Sequence, residues 1–256
     1  MSAGASLPGD EAYADAALTQ DAKDAQNADD SAASEENGNT PEPAETKSDL
    51  LFGDLPPHPD RVTLREGFFK EPLSDTICKT INGVSYHEND TITYEDLSYL
   101  QVLYVDYEKN TRTGELICNK KIADDLLEIF SELYDAGYEI CRIRLIDEYG
   151  GDDDASCADD NTSCFNYRVV QGTTHLSNHA KGLAIDINPF YNPYVTYPDG
   201  KERISPPGSE PYADRSSIGP HMIDENDLCY RLFTEHGFKW GGHWKSLKDY
   251  QHFEKP

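Results

Sequence analysis

The segment Ser177-Asn178-His179-Ala180-Lys181-Gly182-Leu183-Ala184-Ile185-Asp186 sets an imidazole and a carboxylate seven residues apart, with a glycine between them. Leu183, Ile185 and Ile187 alternate with Ala184, Asp186 and Asn188, the period of a half-buried strand. If the three aliphatic residues face a core, Asp186 faces the other way, into a cleft. A bend at Gly182 then lets His179 and Asp186 approach one cation. A neutral imidazole and a carboxylate are both suitable ligands for zinc. Alone, this spacing is weak: a capping histidine and a surface aspartate are the commoner outcome.

A second group closes the chain, Asp249-Tyr250-Gln251-His252-Phe253-Glu254. His252 supplies a third candidate ligand, and catalytic zinc sites use three protein ligands with a fourth position for water. Asp249, three residues earlier, is placed to take a proton from such a water. The bland reading is a half-buried histidine near a frayed end. Trp240, Trp244, Tyr250 and Phe253 surround this region, so a packed end is expected. His175, His221, His236 and His243 compete as ligands. His175 lies four residues before His179, but no HExxH is present and Gly172-Thr173-Thr174 disfavours a helix there. His243 is expected to line the cleft.

The elements that must position these groups are mixed. Val102 to Tyr107 reads as a strand, rich in β-branched and aromatic residues. Asn119 to Tyr134 reads as an amphipathic helix with Ile122, Leu126, Ile129, Phe130 and Leu133 on one stripe, capped by Asn119 and ended at Gly137. Ile140, Ile143 and Leu145 suggest another strand, and Phe165 to Val170 a short extended piece. Residues 189–220 read as a long functional loop, and Asp227 to His236 as a helix. Strands and helices do not alternate regularly, which favours an α+β fold, a small mixed or antiparallel sheet with flanking helices.

The chain has 256 residues, with 48 acidic against 22 basic side chains and a net charge of -26. Like charges repel, so nucleic acid and anionic membrane surfaces are excluded as partners. Residues 1–50 hold 12 Asp/Glu and two Lys and almost no large apolar side chain. Such a segment cannot offset its ordering entropy by burial, so residues 1–55 are expected to be a disordered acidic tail, with Pro56-Pro57-His58-Pro59 opening a folded domain over 56–256. No basic start and apolar core opens the chain. The tail fits a tether to a membrane through a removed N-terminal segment, or a plain flexible terminus. Six cysteines fit an oxidising compartment without proving one, and Cys157 with Cys164 could close a small disulfide loop. No CxxC or CxxxC pair offers a cysteine zinc site.

Together these segments resemble the zinc D-alanyl-D-alanine carboxypeptidase family, which includes vancomycin-resistance carboxypeptidases and phage L-alanyl-D-glutamate endopeptidases. Ser177 to Asp186 matches its Ser-x-His-x-x-Gly-x-Ala-x-Asp motif at every fixed position, and Asp249 and His252 match its acidic residue three before a terminal histidine. Further likeness runs through Gly114-Glu115-Leu116-Ile117, Arg144-Leu145-Ile146-Asp147, Phe165-Asn166-Tyr167-Arg168, Asp186 to Tyr194 and Trp240-Gly241-Gly242-His243-Trp244, about residues 95–256 in all. The departures are Thr111-Arg112-Thr113, where many relatives carry a histidine, and Cys157 and Cys164, where apolar or small residues are usual.

The resemblance implies a Hedgehog/DD-peptidase-like fold with Zn²⁺ held by His179, Asp186 and His252. It implies Asp249 as general base, Arg168 as a cleft cation that polarises the scissile carbonyl or holds a substrate carboxylate, and Ser177 as a substrate-binding or site-orienting residue. A structural salt bridge is the plainer role for Arg168. The expected protein is therefore a secreted or cell-envelope hydrolase, a monomeric zinc metallopeptidase acting on peptidoglycan stem peptides. D-alanyl-D-alanine carboxypeptidase activity is the first reading. An L-alanyl-D-glutamate-type endopeptidase and a non-catalytic wall-binding module on the same fold are the alternatives.

Overall fold

The computed structural model of the protein describes residues 51–170 and 174–256. The disorder expected of residues 1–50, and the conformation of Gly172 and Thr173, lie outside the described residues. The chain opens with a hairpin of β1 (Val62–Arg65) and β2 (Phe68–Pro72), then α1 (Asp75–Ile81). A long hairpin of β3 (Leu97–Val105) and β4 (Thr111–Asn119) leads into α2 (Ala123–Asp135). Next come β5 (Arg142–Ile143), α3 (Asp153–Ala158), β6 (Asn161–Thr162), β7 (Ala184–Asp186), β8 (Tyr194–Thr196) and β9 (Arg203–Ser205). The last elements are α4 (Leu228–Glu235), β10 (Lys239–Trp240), β11 (Lys248–Asp249) and β12 (His252–Glu254). Strands β1-β2-β3-β4 form an antiparallel sheet; β10-β12-β7 and β11-β8-β9 form two smaller ones, and β5 pairs with β6 in parallel. The fold class is α+β.

The four-stranded sheet is covered on both faces. On one side α2 buries Leu126, Ile129, Phe130 and Leu133 with Phe68, Leu100, Val102 and Leu116. On the other, α1 contributes Ile77 and Ile81 to a cluster with Phe69, Leu97, Tyr99 and Ile117. Successive β3 residues point to opposite faces, so Leu97 and Tyr99 enter one cluster while Leu100 and Val102 enter the other. This double burial explains two differences from the sequence expectation. Strand β3 starts at Leu97, five residues earlier than the alternation suggests, and β4 is buried without a break from Gly114 to Asn119 rather than on alternate residues. Asn119 is the last residue of β4, not a helix cap: its Oδ1 accepts from Lys121 N and its Nδ2 donates to Lys181 O. Helix α2 begins four residues later.

Residues 51–55 already belong to the packed body, since Phe52 meets the ring of Tyr99 edge-on at 6.4 Å and donates its N–H to Glu115 Oε1. The six cysteines are unbonded. Cys164, two residues after β6, is buried in the core, whereas Cys157 lies on α3 with Sγ 3.6 Å from Gln251 Oε1, so the small disulfide loop is not formed. The stretch 189–220 is not a structureless loop: β8 and β9 pair within it, and β11 adds to β8. Residues 165–170 form no strand, only an isolated bridge from Val169 to Leu176.

Candidate active site

Strands β7 and β12 run antiparallel, with His252 directly opposite Asp186. Directly opposed residues project to the same face of a sheet, so this register alone brings an imidazole beside a carboxylate. His179 reaches the same place by a different route. Residues His179–Lys181 form one 3-10 turn, closed by Gly182 at φ 64, from which the chain enters β7. The carbonyl of Gly182 accepts from Asn119 N at 2.8 Å, and a Cβ on Gly182 would stand 2.6 Å from that nitrogen. Both the left-handed backbone and the close approach require glycine. Ser177 supports the turn, its buried Oγ accepting from His179 N at 3.2 Å.

The three side chains converge closely. His179 Nε2 lies 3.1 Å from His252 Nδ1 and 3.2 Å from Asp186 Oδ2, and His252 Nδ1 lies 3.1 Å from Asp186 Oδ1. Ligand atoms 2.0–2.1 Å from a tetrahedral ion stand about 3.3 Å apart, so the two nitrogens and the carboxylate are spaced as the donors of one metal. All three residues are buried, and among the described residues they form the group of His, Cys, Asp and Glu whose donor atoms lie mutually close enough for a metal ion. Burial alone would raise the Asp186 carboxyl, but the charges and hydrogen bonds of His179 and His252 outweigh it and hold it well below the usual range. Burial would likewise lower His252, but hydrogen bonds to Asp186 and Glu254 push it up to about 10. His179 Nδ1 meets Cys164 O at 2.7 Å. A carbonyl only accepts, so Nδ1 carries the proton and Nε2 turns its lone pair to the cluster.

Asp249 and Arg168 flank this cluster. Strand β11 places Asp249 opposite Tyr194 of β8. Its Oδ1 is buried and has no hydrogen-bond partner among the described residues. Burial pushes the carboxyl up to about 7; Asp186 adds to the rise, while His252 and Arg168 oppose it. Arg168 Nη2 pairs with Asp153 Oδ2 at 2.7 Å, and its Nε is buried without a partner among the described residues. A buried orphan acceptor and a buried orphan donor beside a group that could hold a metal ion suit a site that takes up a water and a carbonyl. The Trp244 ring stands 5.2 Å from His252.

Gly241 fits between Asp249 and His252. A Cβ there would lie 2.6 Å from Asp249 O, 2.8 Å from Asp249 Cβ and 3.3 Å from His252 Cβ. Gly241→Ala must therefore spread β11 from β12. We expect it to weaken metal binding at least tenfold and to cost about 1–3 kcal/mol of stability, the usual range for overpacking. Metal titration and urea unfolding of the variant check both.

The other histidines stand apart from this group. His221 stacks on Tyr107 at 3.8 Å, His236 pairs with Asp125 and His243 with Glu225, while His175 is exposed. The sequence reading missed Glu254, whose Oε2 lies 3.3 Å from His252 Nε2, and Asp153, the partner of Arg168. Glu254 had a signal: it follows His252 by two in a strand and so shares its face. Asp153 had none, since 15 residues and strand β6 separate it from Arg168.

Comparison with known proteins adds one match. No curated protein and no solved structure matches the chain. The match to a family model spans residues 171–255, which carry Ser177, His179, Asp186, Asp249 and His252 but not Arg168. That span is shorter than the likeness seen in the sequence, which begins near residue 95. Residues 171–255 match the model of a peptidase family described as D-alanyl-D-alanine carboxypeptidase, and through that segment the chain is similar to it.

Proposed function

We propose that the protein is a zinc-dependent peptidase of peptidoglycan stem peptides, acting as a D-alanyl-D-alanine carboxypeptidase, with His179, Asp186 and His252 as the metal ligands. The observation that carries this reading is the convergence of two imidazole nitrogens and one carboxylate, 3.1–3.2 Å apart, in a segment matched by that family. Two nitrogens and one oxygen from the protein suit a catalytic zinc, because a structural zinc takes four protein ligands. Zinc bound there supplies a Lewis acid for the scissile carbonyl and lowers the pKa of its water toward about 7.

The chain's own residues do the rest. Asp249 takes the proton of the attacking water at Oδ1 and passes it to the nitrogen of the leaving amine. A carboxyl raised by burial is suited to this exchange, since it both accepts and returns a proton near neutral pH. Arg168, held by Asp153, directs its Nε–H and its charge to the oxygen of the tetrahedral adduct. Ser177 acts on the site through the turn that carries His179.

We place this activity in a domain over residues 51–256 behind an acidic tail, secreted or at the cell envelope, where its substrate lies. Product analysis tests the reading. Incubation with a defined muropeptide ending in D-Ala-D-Ala is expected to release free D-Ala and leave the bond between L-Ala and D-Glu intact. Release of L-Ala-bearing fragments without D-Ala would replace the carboxypeptidase with an endopeptidase, and no cleavage of either bond would point to a wall-binding module.

A further inference from the structure

We infer that Glu254 is a positioning residue: it fixes the tautomer of His252 and, through Asn178, ties that ligand to the turn bearing His179. The inference rests on the metal-binding part of the functional reading above. Glu254 Oε2 lies 3.3 Å from His252 Nε2 and accepts from Asn178 Nδ2 at 2.6 Å. Asn178 immediately precedes His179, and its Oδ1 accepts from Lys181 Nζ at 3.3 Å. One carboxylate therefore bridges β12 to the 3-10 turn, and each of these segments carries one imidazole.

The chemistry of the two histidines is complementary. Each must turn a lone pair to the metal, so each must carry its proton on the other nitrogen. His179 presents Nε2, and its Nδ1–H is fixed by the carbonyl of Cys164. His252 presents the opposite atom, Nδ1, so its proton must sit on Nε2. Free imidazole carries its proton on either nitrogen, and only an acceptor at Nε2 selects the tautomer that the cluster needs. Glu254 is that acceptor. As a carboxylate it also makes the imidazole a stronger donor to a cation than a carbonyl would. Its side chain is only 17 % exposed, and a buried carboxylate persists only with partners. Its partners include His252 and Asn178, and the charge of Lys239 also favours the carboxylate. Strand alternation explains how it gets there: His252 and Glu254 flank Phe253, which points into the core, so both turn to the site.

The test is zinc affinity, read by competition with a chromophoric chelator, together with the ¹⁵N shifts of His252 in the zinc-loaded protein. Glu254→Ala is expected to weaken zinc about 10–100-fold, the usual cost of losing such a partner. Glu254→Gln, which keeps an acceptor at Nε2, is expected to recover most of that loss. In the wild type the shifts are expected to show a protonated Nε2, with its proton slow to exchange, and an unprotonated Nδ1. That measurement does not depend on how any variant folds. A protonated Nδ1, or a folded Glu254→Ala with wild-type zinc affinity, would overturn the inference while leaving the metal site and its activity standing. A wild-type protein that binds no zinc would overturn the functional reading itself, and this inference with it.

Discussion

His179→Ala yields a folded protein that binds no stoichiometric zinc and does not hydrolyse D-Ala-D-Ala peptides. The substitution removes one of the three proposed ligands, side chains that approach one another to 3.1–3.2 Å. Two remaining ligands hold zinc weakly, and the geometry of the open site is lost with the third. The fold should survive because the turn itself is held by other contacts. Gly182 still bonds to Asn119, and Ser177 Oγ still accepts from the amide of residue 179. The lost side chain leaves the carbonyl of Cys164 short of one buried donor, worth about 1–3 kcal/mol. Metal analysis, turnover and a thermal melt on one preparation check all three statements. Wild-type turnover from this variant would remove His179 from the mechanism.

Asp249→Asn behaves differently. Zinc content stays at the wild-type level while kcat falls about 10²–10⁴-fold, the range for a lost general base, with little change in KM. Asparagine keeps the size of the side chain, so Gly241 and His252 need not move. Stability should hold or rise, because a buried carboxylate oxygen without a partner is a cost that the neutral amide lessens. Functional groups are often kept at such a cost. The comparison separates the two roles: His179→Ala loses metal and turnover together, whereas Asp249→Asn loses turnover alone. Loss of zinc from Asp249→Asn would make Asp249 part of the metal set instead of the base.

The geometry of the site was legible where local rules decide it. Alternation put Leu183, Ile185 and Ile187 in the core and turned Asp186 the other way, and Gly182 marked the bend that brings His179 back. The pairing of His252 with Asp186 is a long-range register, 66 residues apart, which no local pattern encodes. Only the resemblance joined the two halves. Strand β4 escaped notice because its second half is covered on both faces, so its residues do not alternate. Asn119 resembled a helix cap because it is a short polar residue before an amphipathic run; in the structure its side chain serves the turn at Lys181 instead. Residues 51–94 gave no reading, and β1 shows why: it is only four residues long, and its apolar Val62 and Leu64 are exposed on a sheet edge instead of facing the core. The salt bridge from Arg168 to Asp153 was anticipated only as a plain alternative, without its partner.

The central claim is that one zinc at His179, Asp186 and His252 makes this chain a peptidase. The most direct measurement is reconstitution: strip the protein with a chelator, titrate zinc back, and follow release of D-Ala from a pentapeptide ending in D-Ala-D-Ala. The account predicts no release from stripped protein and a linear recovery that saturates at one zinc per chain. Full release from the stripped protein, or one bound zinc without any release, would contradict it.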